Sequence, residues 1–99
     1  MAGMADNLPT FVVLYHYVPD MAERRTPHRE AHIAWLREHA AAGRLLLAGA
    51  LQEPVDTGLL VFRMPDALSL RRLLLDDPYA AADLILGVTV RPVGLVVGG

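Results

Sequence analysis

Residues 11–18 read FVVLYHYV, seven apolar, aromatic or β-branched positions interrupted by a single imidazole and closed by Pro19-Asp20. A run of this length and composition suits a strand, and the Pro-Asp pair after it is a turn signal. Phe11, Val13, Tyr15 and Tyr17 fall on one face of that strand, with Val12, Leu14, His16 and Val18 on the other, and neither set carries a formal charge. A strand wetted on one side alternates apolar with polar residues. This one is therefore expected to be buried on both sides.

The segments that follow decide what does the covering. Residues 28–42 are rich in Ala, Leu, Glu and Arg and stop at Gly43, which predicts a first helix with a glycine stop. Residues 44–51 (RLLLAGAL) and 59–63 (LLVFR) are two further strands, joined by a loop holding Pro54, Asp56 and Gly58. Pro65-Asp66 opens a second helix, in which Leu68, Leu70, Leu73, Leu74 and Leu75 recur at helical spacing opposite Arg71 and Arg72. It ends near Asp76-Asp77-Pro78. Residues 79–84 suit one more helical turn. Residues 88–97 (VTVRPVGLVV) are read as the last strand, with Pro92 and Gly94 demanding an edge, a bulge or a bend. The order β-α-β-β-α-β is that of a ferredoxin-like α+β fold, a four-stranded antiparallel sheet with two helices on one face.

A chain of 99 residues supports one core, so residues 10–97 form a single domain between an N-terminal tail, 1–9, and a C-terminal tail, 98–99. The composition is 54% hydrophobic against 20% charged, with a mean hydropathy of +0.33. No apolar run is long enough to span a bilayer, so no membrane role is expected. The first nine residues, MAGMADNLP, lack the basic and apolar regions of a signal peptide, which makes a cytoplasmic location the expectation. The absence of cysteine excludes disulfides and thiolate zinc sites. A net charge of −2 with dispersed arginines argues against a nucleic-acid partner. Arg24, Arg25 and Arg29 cluster, but Glu23 and Glu30 lie among them, the pattern of a solvated helix start.

Two helices cover only one sheet face, and a bare apolar face exceeds what soluble monomers usually expose. A homodimer that stacks two such faces is the simplest remedy. The alternative is cover by a loop or by the N-terminal tail.

Three segments give the chain a family likeness. Arg29-Glu-Ala-His32 is followed by Leu36, Gly43-Arg44-Leu45 and Ala48-Gly49; Asp77-Pro78-Tyr79 and Val88-Thr-Val-Arg91-Pro92 come later. Together they resemble the YciI-like (YCII-related) domains, whose members are small dimeric α+β-barrel proteins. Ala50 stands where many relatives have proline, a departure that bears on the loop after the second strand. The resemblance implies that His32 and Asp77 form an acid–base dyad at the mouth of a pocket. His32 would be the general acid and base and Asp77 its orienter, with Tyr79 as pocket wall or hydroxyl donor. Nothing in the spacing alone pairs residues so far apart.

An imidazole titrates near neutral pH, and a neighbouring carboxylate fixes its tautomer and favours its charged form. His32 is therefore the residue to follow, against the alternative of a helix histidine bonded to the sheet edge. Arg29, one turn earlier, either grips an anionic group bidentately or pairs with Glu30, Glu23 or Asp20. His16 is either a pocket contact or a buried, satisfied histidine. Trp35 reads as helix-to-sheet packing. His28 and His32 are four apart, but His39 is about 10 Å further along the helix axis at 1.5 Å per residue. No metal is expected, and His28 and His39 are read as solvated. There is no glycine-rich phosphate loop and no nucleophile elbow, so the reading is cofactor-free. The function expected is that of a cofactor-independent lyase or isomerase acting on a small anionic or phenolic molecule. The alternatives are a non-catalytic small-molecule-binding module and a purely structural role.

Overall fold

The computed structural model describes residues 8–98; most of the expected N-terminal tail, residues 1–7, lies outside them. The elements are β1 (Thr10–Tyr17), a helical turn α1 (Met21–Arg24), a 3-10 turn (Thr26–His28), α2 (Arg29–Ala41), β2 (Leu45–Ala50), β3 (Thr57–Arg63), α3 (Ala67–Leu74), α4 (Pro78–Ala81) and β4 (Ile85–Pro92). The strands lie in the order β2-β3-β1-β4 with every neighbouring pair antiparallel. This is the ferredoxin-like α+β arrangement that the element order predicts. Among the described residues, no helix is long and apolar enough to cross a membrane.

The stretch that begins at Phe11 is an inner strand, which accounts for its lack of charge. Val13 lies opposite Leu60 on one side and Val90 on the other. Phe11, Val13, Tyr15 and Tyr17 are buried on the helix side, where they meet Leu60 and Phe62 of β3, Trp35 of α2, and Leu70 and Leu74 of α3. Trp35 packs edge-on to Phe62 at 6.4 Å, as helix-to-sheet packing requires. The opposite face carries Val12, Leu14, Leu59 and Val61, joined at the β2 edge by Leu47, which is 53% exposed.

The helix ends follow from local chemistry. Gly43 takes a φ of 81° at the end of α2, where the Gly43 N–H donates to the Ala40 carbonyl and the Arg44 N–H to that of His39. This pair of bonds is the Schellman closure, which needs a left-handed residue. The Asp66 side chain caps α3 by accepting from the Ser69 N–H at 2.7 Å, and those bonds hold its carboxyl below the usual range.

Three expectations need correction. The last strand begins at Ile85 and ends at Pro92, not at Val97. Its partner β1 begins at Thr10, whose carbonyl takes a final bond from the Val93 N–H, so among the described residues Leu95, Val96 and Val97 have no strand to pair with, and they are exposed. Of the leucines expected on the inner side of the second helix, Leu70 and Leu74 of α3 are buried, whereas Leu68 and the C-cap residue Leu75 face outward. His39, expected in solvent, is buried against Trp35 and Phe62, and its Nδ1 accepts from the Arg44 Nε at 3.0 Å.

Burial and the adjacent Arg44 charge both lower the pKa of His39 from its ordinary value of 6.5. The unfolded chain therefore binds this proton more readily than the folded one, and stability falls as pH drops below the ordinary histidine value. Thermal midpoints measured from pH 7.5 down to 5.0 should fall more steeply for the wild type than for His39→Gln, whose amide oxygen can still accept from Arg44. Parallel curves would contradict this account.

Candidate functional site

The turn Asp76-Asp77-Pro78 closes α3 and opens α4, and Asp77 is the N-cap of α4 with Pro78 at its first position. That role directs the carboxyl inward rather than to solvent, and Asp77 is fully buried. Its Oδ1 accepts from the Tyr79 N–H at 2.9 Å and bonds the His32 Nδ1 at 2.7 Å. Its Oδ2 accepts from the Tyr15 hydroxyl at 2.9 Å. Three elements, β1, α2 and α4, thus converge on one carboxyl.

The bonding pattern assigns the tautomer of His32. An ionised carboxylate has only acceptor positions, so the hydrogen in the short contact belongs to Nδ1, and Nε2 is left for another partner. The imidazole stacks on the Tyr79 ring, with centroids 3.7 Å apart and planes 8° from parallel. Burial, and then the Asp77 charge, raise the Tyr15 phenol well above its ordinary range, so it remains a donor. Burial also raises Tyr17 and Tyr79, with the Arg25 charge pulling both the other way.

His32 and Tyr79 border a cavity of about 350 Å3 between α2 and the edge strand β2. Ile33, Leu36, Leu45 and Leu60 form apolar walls, while Tyr17, Arg25 and Arg29 join the two aromatic residues as polar lining. A volume at the lower end of the usual small-molecule range, roughly 300–1,000 Å3, suits a single-ring ligand. Gly58 in β3 leaves room for Tyr17, because a Cβ there would overlap the Tyr17 hydroxyl.

Four of the five residues singled out in the sequence meet at this site. His32, Asp77 and Tyr79 touch one another, and Arg29 lines the same cavity. Arg29 makes none of the ion pairs with Glu30, Glu23 or Asp20 considered as its alternative. His16 does not join them. It lies between Tyr15 and Tyr17, so strand alternation turns it to the opposite sheet face, where it is exposed and its Nε2 contacts the Thr89 Oγ1 at 3.0 Å. It is neither the pocket contact nor the buried histidine expected. His28, at the start of α2, is half-buried and outside the cavity lining. The sequence reading missed Tyr15, Tyr17 and Arg25. The tyrosines share a face with Phe11 and Val13, a signal that pointed only to the core. Arg25 had none.

A model of the YCII-related domain matches residues 10–94. Among solved structures, the chain is similar to a 5-chloro-2-hydroxyhydroquinone dehydrochlorinase from Burkholderia phenoliruptrix in complex with 2,5-dihydroxybenzoquinone. The TM-score is 0.72 and the identity 17%, with 83% of this chain and 90% of that one covered. It is also similar to an uncharacterised NIPSNAP-like domain protein from Burkholderia xenovorans, with a TM-score of 0.58 at 16% identity over 93% and 89% of the two chains. A NIPSNAP family protein from Agrobacterium tumefaciens follows, with a TM-score of 0.56 at 18% identity over 87% and 90%. At these identities the likeness is one of fold. A search of curated proteins finds no match.

The Tyr15 hydroxyl should be worth measuring on its own. Removing it leaves one oxygen of a buried carboxyl without a donor, a loss of about 1–3 kcal/mol. Tyr15→Phe is expected to lower the unfolding free energy by that amount in urea titrations with an unchanged m-value. A variant as stable as the wild type would mean that the bond contributes nothing.

Proposed function

This chain belongs to the YCII-related domain family, and from that premise we propose that it is a cofactor-independent lyase or isomerase that moves a proton on a small phenolic or anionic ring compound. The observation that carries the reading is the 2.7 Å contact between the His32 Nδ1 and Asp77 Oδ1 on the border of a cavity of single-ring size. Asp77 holds the imidazole in the tautomer whose Nε2 is a base, and the stack on Tyr79 restricts ring rotation. In this role Nε2 takes a proton from a substrate carbon or hydroxyl. The bonding pair stays with the substrate, where it either expels a leaving group from the adjoining carbon or shifts a double bond. The imidazolium then returns its proton to water or to another substrate carbon, which restores the base. Tyr79 and Arg29 hold the substrate, and no step calls for a redox cofactor. The name of the dehydrochlorinase that shares the fold belongs to the same reaction class.

General acid–base catalysis by a positioned side chain contributes roughly 10²–10⁴-fold. Turnover of hydroxylated and halogenated hydroquinones, followed by quinone absorbance, should drop by about that factor in His32→Ala. In Asp77→Asn, 15N spectra of the His32 ring should change their tautomer pattern, because a carboxamide no longer dictates which nitrogen carries the hydrogen. The reading is lost if 2,5-dihydroxybenzoquinone at millimolar concentration leaves the His32 resonances unmoved and His32→Ala changes no activity found in the screen.

The reading includes a homodimer through the sheet face that the helices leave open. Val12, Leu14 and Leu59 on inner strands β1 and β3, with Leu47 on the edge strand β2, support it, because they form a partly open apolar strip between polar residues such as His16, Thr89 and Arg91 on the same face. Sedimentation of the wild type at micromolar concentration should give twice the protomer mass, and Leu14→Glu should halve it with the far-ultraviolet spectrum preserved. A monomeric wild type would remove this part.

A further inference from the structure

Arg25 is the residue whose surroundings differ most from its sequence context. Among charged neighbours it reads as part of a solvated helix start, yet it is half-buried and lines the cavity. It stands at the junction of α1 and the 3-10 turn, where its N–H donates to the Met21 carbonyl at 2.9 Å and its own carbonyl accepts from the His28 N–H at 2.8 Å. Backbone bonds on both sides fix its main chain at one end of the cavity that its side chain lines.

That end is rich in unspent donors. Among the described residues, neither Arg25 nor Arg29 makes an ion pair or a side-chain hydrogen bond. The hydroxyls of Tyr17 and Tyr79 have no hydrogen-bond partner either. No Asp or Glu lines the cavity, whereas three arginines do: Arg25, Arg29 and Arg37. Asp77 is close by, but it is wholly buried and its oxygens are occupied by three donors. A partly desolvated guanidinium with no counter-charge costs stability, so a fold that keeps one beside an open cavity is built to receive an anion there.

We infer that Arg25, seconded by Arg29 and the Tyr17 hydroxyl, is the anion clamp of this pocket, and that its ligand is a single-ring compound bearing a delocalised oxyanion, either a carboxylate or a ring enolate or phenolate. The inference rests on the proposed site being where the small molecule binds, but not on the chemistry of His32. The planar fork of arginine matches planar oxygen pairs. The apolar walls from Ile33, Leu36, Leu45 and Leu60 call for a hydrocarbon ring behind the charge, which inorganic phosphate lacks. Arg25's nearness to both phenols is also felt in their ionisation, which its charge favours against the larger effect of burial.

The test is a titration of the full chain by calorimetry with 4-hydroxybenzoate, 4-nitrophenolate, inorganic phosphate and the neutral 4-hydroxybenzamide. The readout is the ratio of anion to amide affinity. The wild type should prefer both organic anions over the amide by about tenfold or more, and added salt should weaken only the anions. Arg25→Gln should weaken the anions by roughly 10- to 100-fold and leave the amide within about twofold, collapsing the ratio. Tyr17→Phe should cost about three- to tenfold on the anions alone. Arg25→Lys should keep part of the preference, which supplies a second reading if the glutamine variant is unstable. Arg71→Gln, on α3 outside this cavity, controls for the loss of one positive charge and should leave the ratio unchanged. A preference for benzoate over nitrophenolate, or the reverse, identifies which oxyanion the clamp fits. Equal binding of amide and anions, an unchanged ratio in Arg25→Gln, or phosphate binding tighter than either organic anion would overturn the inference. His32→Ala separates this clamp from the proposed chemistry, because it should retain the anion preference while losing turnover. An Arg25→Gln protein that binds anions normally would sink the clamp and leave the acid–base reading standing.

Discussion

The buried carboxyl of Asp77 is the constraint around which the helix side of this molecule is arranged. Removing a carboxylate from water is expensive, and it becomes tolerable only when its lone pairs are met by well-placed donors. Here the donors are the Tyr15 hydroxyl, the His32 ring and the Tyr79 backbone. Each comes from a different element, so β1, α2 and α4 are tied together by polar bonds as well as by apolar packing. Truncating the Tyr15 or His32 side chain leaves an incompletely satisfied buried carboxyl. Such a network is satisfied as a unit or not at all.

Chemical consequences follow from the same arrangement. A carboxylate that accepts from Nδ1 turns the other imidazole nitrogen into the available one, and the stacked Tyr79 ring keeps the imidazole from rotating away. The proline after Asp77 and the N-cap role explain why the carboxyl points inward. The three bonds it accepts are all internal, so the charge that orients the histidine is shielded from ligand. The cavity beyond is therefore bordered by donors and cations rather than by an acid. Separating the orienting charge from the binding charge in this way gives one pocket both a base and an anion seat.

The sheet divides the labour. One face supports this network and the apolar core, while the other mixes the aliphatic Val12, Leu14 and Leu59 with polar residues such as Arg91. His16 and Thr89 bond each other on that second face, which keeps an imidazole on the sheet without giving it access to the cavity. The bulge between His16 and Tyr17 in the pairing of β1 with β4 comes where the strand passes from this exposed pair toward the buried turn at Val18.

Much of the architecture was legible along the chain, because strands and helices of this size are specified by local alternation, helical spacing and stop signals. Thr10–Tyr17, Gly43 and Pro65-Asp66 each behave as their local chemistry requires. The end of β4 was not legible, since a strand stops where its partner stops, and Thr10 is far from Val93 in sequence. The burial of His39 was likewise hidden, because it depends on Arg44 folding back from beyond the helix end. At the site, the family likeness linked His32 to Asp77, whereas spacing alone could not. Only the tertiary structure recruited Tyr15 to the carboxyl and turned Arg25 toward the cavity, because both depend on contacts between elements that no local periodicity records.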